Sequence, residues 1–255
     1  MEGVKEYLDE LCTKYNCSNF IAEDPISVPH LYEQQQDIEI AAFLSATIAW
    51  GKRTIIVRNA HKITELMGHH PYDFVMGASE EDLRALEGFV HRTFNHIDLQ
   101  YFILSLRNIY TNHGGLGEFF QSSYLKHNDI RPVLSDFYKL FFEQHVLPRT
   151  TRHISSIDKG AACKRLCMFL KWMVRKDLNG VDFGIWDKIP PSALYLPLDV
   201  HSGNTSRALG LLTRKQSDWK AVEEVTTRLR EFDPRDPVRY DFALFCAGIE
   251  GLLPR

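Results

Sequence analysis

Apolar residues recur at helical spacing along almost the whole chain, and no stretch alternates in the manner of paired strands. Val4, Leu8 and Leu11 mark a first amphipathic helix, ended by the polar run Tyr15-Asn16-Cys17-Ser18-Asn19. From Asp37 to Trp50 the chain is apolar nearly all round (Ile38, Ile40, Ala41, Ala42, Phe43, Leu44, Ile48, Ala49), the pattern of a helix buried on every side. A further helix is predicted through Ile55, Ile56, Ala60, Ile63, Leu66 and Met67, stopping at Gly68-His69-His70-Pro71. Ser79-Glu80-Glu81-Asp82 starts another in capping-box fashion. Asp98 to Tyr110, Gly117 to Tyr124, Val133 to His145, Lys164 to Val174, Ser217 to Phe232 and Tyr240 to Ile249 complete the helical segments. Asp24-Pro25-Ile26-Ser27-Val28-Pro29 reads as an extended connector, because each proline lacks an N–H and biases its predecessor away from helix. The expectation is an all-α protein of roughly ten helices, with no strand pairing and no repeat of fixed period.

A chain of 255 residues can bury a substantial core, and its 44% apolar and 25% charged residues are the balance of an ordinary globular protein. No apolar run approaches the roughly 18–20 residues of a membrane span. The charged, amphipathic start does not read as a signal peptide. Five cysteines is an odd number, and their spacing builds no four-ligand site, so neither a metal, an iron–sulfur centre nor any other cofactor is expected. Cys163 and Cys167, four apart on one helix, read as buried thiols; reduced thiols point to the cytoplasm. The net charge of −3 argues against indiscriminate attraction to nucleic acid. Yet Arg149, Arg152, Lys159, Lys164, Arg165, Lys171, Arg175 and Lys176 face a single acid, Asp158, within one segment that could neutralise several phosphates.

Two short segments carry candidate chemistry. In Pro197-Leu198-Asp199-Val200-His201 an extended stretch turns into helix at Asp199, where free N–H groups and the helix dipole favour a carboxylate. In Ile157-Asp158-Lys159-Gly160-Ala161-Ala162-Cys163-Lys164-Arg165-Leu166 small residues lead into a helix whose first turn holds Lys164. Small residues there allow backbone N–H groups to approach a phosphate. A lysine and an aspartate brought together from these two helix starts would make a catalytic pair; the alternative is a capping aspartate with no chemistry. Asp241 and Phe245 are four apart and share a helix face, as a base-reading pair or as a cap and a core aromatic.

The spacing Gly160-x-Ala162-x-Lys164 resembles the Gly-x-Gly-x-Lys hairpin of the helix–hairpin–helix DNA glycosylases. Leu198-Asp199-Val200-His201 followed by Arg207-Ala208-Leu209-Gly210-Leu211 is similar to the aspartate segment of that superfamily, and Phe43-Leu44-Ser45-Ala46-Thr47 to its early Leu-Leu-Ser-Ala-Gln helix. Tyr240-Asp241-Phe242-Ala243-Leu244-Phe245-Cys246-Ala247-Gly248 is like the late helix of the archaeal 8-oxoguanine glycosylase branch, which also separates lysine and aspartate by thirty-odd residues. The chain most resembles a bacterial family at the edge of this superfamily, over most of residues 37–250. It departs from the pattern in lacking Leu-Pro-Gly-Val-Gly, in Ala162 for the second glycine, in Thr47 for glutamine, and in lacking the four-cysteine cluster motif.

The resemblance implies a helix–hairpin–helix glycosylase-like fold with two helical lobes flanking a cleft. The lobes would be residues 37–175, including a hairpin-like segment at 157–175, and 1–36 with 176–255. It implies a monomer acting on double-stranded DNA, which flips out a damaged base such as 8-oxoguanine, with Lys164 as nucleophile and Asp199 stabilising the cationic sugar. Strand cleavage by an AP lyase step would follow from a lysine nucleophile. Lys171, two turns further along the helix, is the rival nucleophile. Asp241, Phe245, Met168 and Trp172 would form the substrate-binding set, although tryptophans in a helical core are more often packing. Gly160, Ala162, Arg165, Lys171 and Arg175 would hold the DNA backbone, with His201 orienting the aspartate segment or forming a structural hydrogen bond. The alternatives are a nucleic-acid-binding module of the same fold without turnover, and a helical protein with no nucleic-acid role.

Overall fold

The structure is a computed structural model describing residues 2–144, 146–177 and 179–251. Among the described residues it is mainly helical: α1 (Glu2–Tyr15), α2 (Gln35–Thr47), α3 (Arg53–Leu66), α4 (Pro71–Gly77), α5 (Glu80–Arg84), α6 (His96–Asn112), α7 (Leu116–His127), α8 (Ile130–Phe141), α9 (Lys164–Val174), α10 (Val200–Ala208), α11 (Trp219–Phe232) and α12 (Asp241–Glu250). Most predicted helices stand within a few residues of their expected bounds; the position His145 lies outside the described residues. No helix among the described residues is long and apolar enough to cross a membrane.

Two local expectations are corrected. The proline-rich connector is wound, with 3₁₀ turns at Pro25–Ser27 and Pro29–Leu31. Proline suits the first position of such a turn because the N–H it lacks would have no partner there, and Asp24 caps the first turn by accepting from the Ile26 N–H at 3.1 Å. A small antiparallel hairpin also exists, β1 (Val90–His91) with β2 (Phe94–Asn95). Two-residue strands are too short to show the alternation by which strands are read from sequence.

The chain divides into two compact units: residues 1–20, 129–131 and 156–255, and residues 21–128 and 132–155. Both expected boundaries are therefore misplaced: the segment 157–175 belongs with the terminal parts of the chain, and residues 21–36 belong with the unit that contains α2. Its helix, α9, buries Leu166, Phe169, Leu170 and Met173 within that unit, with the Phe169 ring edge-on to Trp186 at 5.3 Å.

The unit containing α2 is built around that helix, buried along nearly its whole length. Phe43 packs against Phe102, Phe137 and Phe141 at 5.9, 5.6 and 5.4 Å between ring centres. The buried carboxylate of Glu39 is satisfied by the Tyr110 hydroxyl at 2.7 Å and the Gln35 amide at 2.8 Å. Several basic residues of the expected patch are engaged within their own units. Arg149, for example, binds the fully buried Asp98 at 3.1 Å.

In the other unit α12 packs on α1 and α10. Gly248 is what lets α10 and α12 approach: a Cβ there would lie 2.7 Å from Thr205 Oγ1 and 3.0 Å from the His201 carbonyl oxygen. That close contact holds the start of α10, and with it Asp199, against the last helix.

Candidate active site at the starts of two helices

The approach to α9 is a tight sequence of turns. A 3₁₀ turn at Ile157–Lys159 ends at Gly160, whose φ of +77° is a left-handed conformation that glycine adopts without strain. Ala161 then forms an isolated antiparallel bridge with Asp218, and the Trp219 N–H donates to the Gly160 carbonyl at 2.9 Å. Cys163 also takes a left-handed conformation, φ +49°, before Lys164 opens the helix. No side chain caps α9, so its leading N–H groups are left to other acceptors.

Asp199 caps α10 as its sequence predicted. Its Oδ1 accepts from the Ser202 N–H at 2.9 Å, while the Ser202 hydroxyl accepts from the Asp199 N–H at 2.9 Å, a reciprocal capping box. Oδ2 then faces Lys164, 3.6 Å from Nζ. The two side chains are 29% and 19% exposed, enough for a ligand to reach both. The two helix starts singled out from sequence thus bring their lysine and carboxylate together. Close by in the chain, His201 is exposed, and its ring lies edge-on to Phe245 at 5.8 Å.

The other candidates divide. Gly160 is exposed; Ala162, Arg165, Met168 and Phe245 are half-buried. Lys171, Arg175 and Trp172 require correction. Lys171 is 0% exposed: its Nζ binds Asp241 Oδ2 at 3.0 Å, stands 3.8 Å from Asp182 Oδ1, and lies 3.5 Å over the Phe242 ring. Arg175, also buried, binds Asp182 at 2.9 Å and Asp236 at 2.8 Å. Neither side chain presents a charge to a DNA backbone, and Lys171 presents no amine to a substrate. Trp172, 2% exposed, is core. Asp241 is correspondingly the acceptor of a buried ion pair as well as the first residue of α12.

Electrostatics in this cluster follow from burial. Desolvation alone would lower the Lys171 pKa, but Asp182 and Asp241 outweigh it and hold the amine above its ordinary value, charged. Burial pushes Asp182 up to about 6, against the pull of Lys171 and Arg175. Burial likewise raises the Cys163 thiol to about 12 and Cys167 well above its usual range, so both are packed and inert, as expected. Among the described residues no group of His, Cys, Asp and Glu could hold a metal ion.

Sequence reasoning missed Asp182 and Asp236, the partners that consume two of the expected DNA-binding cations. A signal for Lys171 was present: from Phe169 to Val174 every other residue is apolar, so a lysine there has no polar face to occupy. Nothing in the sequence pointed to the loop before α11 as the neighbour of the hairpin.

Among the described residues the molecule is thus a mainly helical protein with a partly exposed lysine–aspartate pair joining two helix starts. The chain belongs to a family of proteins of unknown function, DUF2400, whose profile matches residues 24–250. No curated protein and no solved structure matches it.

Proposed function

We propose that the protein is a DNA repair glycosylase of the helix–hairpin–helix type, acting on a damaged base in duplex DNA, an oxidised purine such as 8-oxoguanine being the first substrate to test. The observation that carries this reading is the Lys164–Asp199 pair at 3.6 Å, set between an uncapped helix start and a capped one. A module that only binds DNA has no use for a carboxylate beside its phosphate contacts, where it would repel the ligand.

In the proposed reaction the Asp199 carboxylate takes a proton from the Lys164 ammonium, and the freed lone pair attacks the sugar C1′. The glycosidic bond breaks with its electron pair leaving on the base, which takes the proton held by Asp199 as it departs and leaves that carboxylate ionised again. Asp199 opposes the positive charge that develops on the sugar. The C1′ ammonium gives a proton to Asp199, which passes it to the ring O4′ as the C1′–O4′ bond opens. This leaves an iminium between Lys164 and C1′, from which loss of a C2′ proton expels the 3′ phosphate and cleaves the strand. Phe245 and His201 offer aromatic surface for the extruded base or its neighbours. The uncapped N–H groups of α9 and the turn at Gly160 suit a backbone phosphate.

The test is reductive trapping. The protein is incubated with duplexes bearing single lesions, 8-oxoguanine first, and borohydride is added to convert an iminium into a stable cross-link. A cross-link that vanishes in Lys164→Gln and persists in a folded Lys171 variant supports the reading. Tight duplex binding without base release or trapping on any lesion would refute it in favour of the non-catalytic module.

A further inference from the structure

The hairpin before α9 does not stand alone. The Ala161–Asp218 bridge and the Trp219 N–H to Gly160 hydrogen bond at 2.9 Å clamp it to the loop that precedes α11. Lys159 immediately precedes Gly160 and Lys220 immediately follows Trp219, the two residues that this hydrogen bond joins. The loop is itself braced. Arg207 donates to the carbonyls of Arg214 and Lys215 at 2.9 and 3.0 Å, and Glu224 accepts from the Thr213 N–H and hydroxyl at 2.6 Å each.

The acids of this neighbourhood are committed. Asp218 receives Arg214 Nε at 2.7 Å and caps α11 through the Ala221 N–H at 3.2 Å, and Glu224 holds Thr213. Lys159, Lys215 and Lys220 are all exposed, and none forms an ion pair among the described residues. Exposed amines held on a braced two-loop platform, with the nearby carboxylates already engaged, form a surface complementary to a row of phosphates.

We propose that the segment 213–220, the loop before α11 together with the first residues of that helix, is a second backbone clamp, gripping duplex DNA together with the hairpin through Lys159, Lys215 and Lys220. The inference rests on the glycosylase reading, and it moves the DNA contact from the buried Lys171 and Arg175 to the segment 213–220, further along the chain. Phosphate contacts position a protein on the duplex without reading sequence, so this clamp would set where the strand lies relative to the Lys164–Asp199 pair.

The experiment measures fluorescence anisotropy of a labelled duplex bearing an abasic-site analogue, over salt from about 50 to 200 mM, where each phosphate contact contributes about 0.9 to the slope of log affinity against log salt. Lys215→Gln and Lys220→Gln are each expected to reduce the slope by about 1, and the triple variant with Lys159→Gln by about 2–3. Lys62→Gln, an exposed lysine of the other unit, leaves the slope unchanged and controls for net charge. Borohydride trapping at saturating protein reports the chemistry separately. If the wild type binds and traps but the loop variants keep the wild-type slope, the clamp is wrong and the glycosylase reading stands. If the wild type binds no duplex even at low salt, both fall.

Discussion

Replacing Lys171 by methionine separates structure from chemistry most sharply. Methionine matches the lysine stem and leaves little cavity, so the perturbation is the loss of one buried charge. That charge is 1% exposed and answers two carboxylates, Asp241 at 3.0 Å and Asp182 at 3.8 Å. Asp182, 0% exposed, retains Arg175 at 2.9 Å; Asp241, 15% exposed, loses its only ion pair among the described residues. Removing one partner of a buried pair costs about 3–5 kcal/mol, because the remaining charge stays out of water without compensation. Lys164→Gln breaks a pair whose members are 29% and 19% exposed, and such a pair is worth at most about 1 kcal/mol. Urea unfolding of the two variants beside the wild type reads this difference. In thermal melts of a protein this size, 3–5 kcal/mol corresponds to a fall of about 6–20 °C, against a few degrees for Lys164→Gln. Trapping should rank the variants the other way: abolished in Lys164→Gln, retained in Lys171→Met at a temperature where it is folded. A Lys171→Met protein of wild-type stability that no longer traps would refute the reasoning and make Lys171 the nucleophile.

Two further substitutions test the site. Asp199→Asn keeps an acceptor for the Ser202 N–H and should hold stability within about 0.5 kcal/mol while base release is lost, whereas Asp199→Ala should lose about 1 kcal/mol as well; equal stability in both would mean that the cap contributes nothing. Gly248→Ala places a Cβ 2.7 Å from Thr205 Oγ1 and 3.0 Å from backbone, and should destabilise by about 1–3 kcal/mol and weaken trapping by displacing α10, read by melting and by cross-link yield; unchanged values would show that the two helices can part freely.

The elements of this fold were legible because their determinants are local. Asp199 reads as a cap because its partner, Ser202, is three residues away, and Lys164 to Val174 reads as a helix from spacing within that segment alone. The hairpin at Val90–Asn95 and the winding of Asp24–Leu31 were not legible, since both are too short for periodicity and each is settled by one or two caps or turns.

By itself the sequence determined most of the helices, the caps at Ser79 and Asp199, and the two segments from which a lysine and a carboxylate could meet; it did not show the short helix α4. Only the tertiary structure decided which lysine remained available. Lys171 and Asp241 are 70 residues apart, and their pairing depends on how α9 and α12 pack, for which no spacing rule exists. The same holds for the hairpin and the loop before α11, joined through Ala161 and Asp218. Helix formation is written in contacts three and four residues apart, while the accessibility of a charge depends on every element that closes over it.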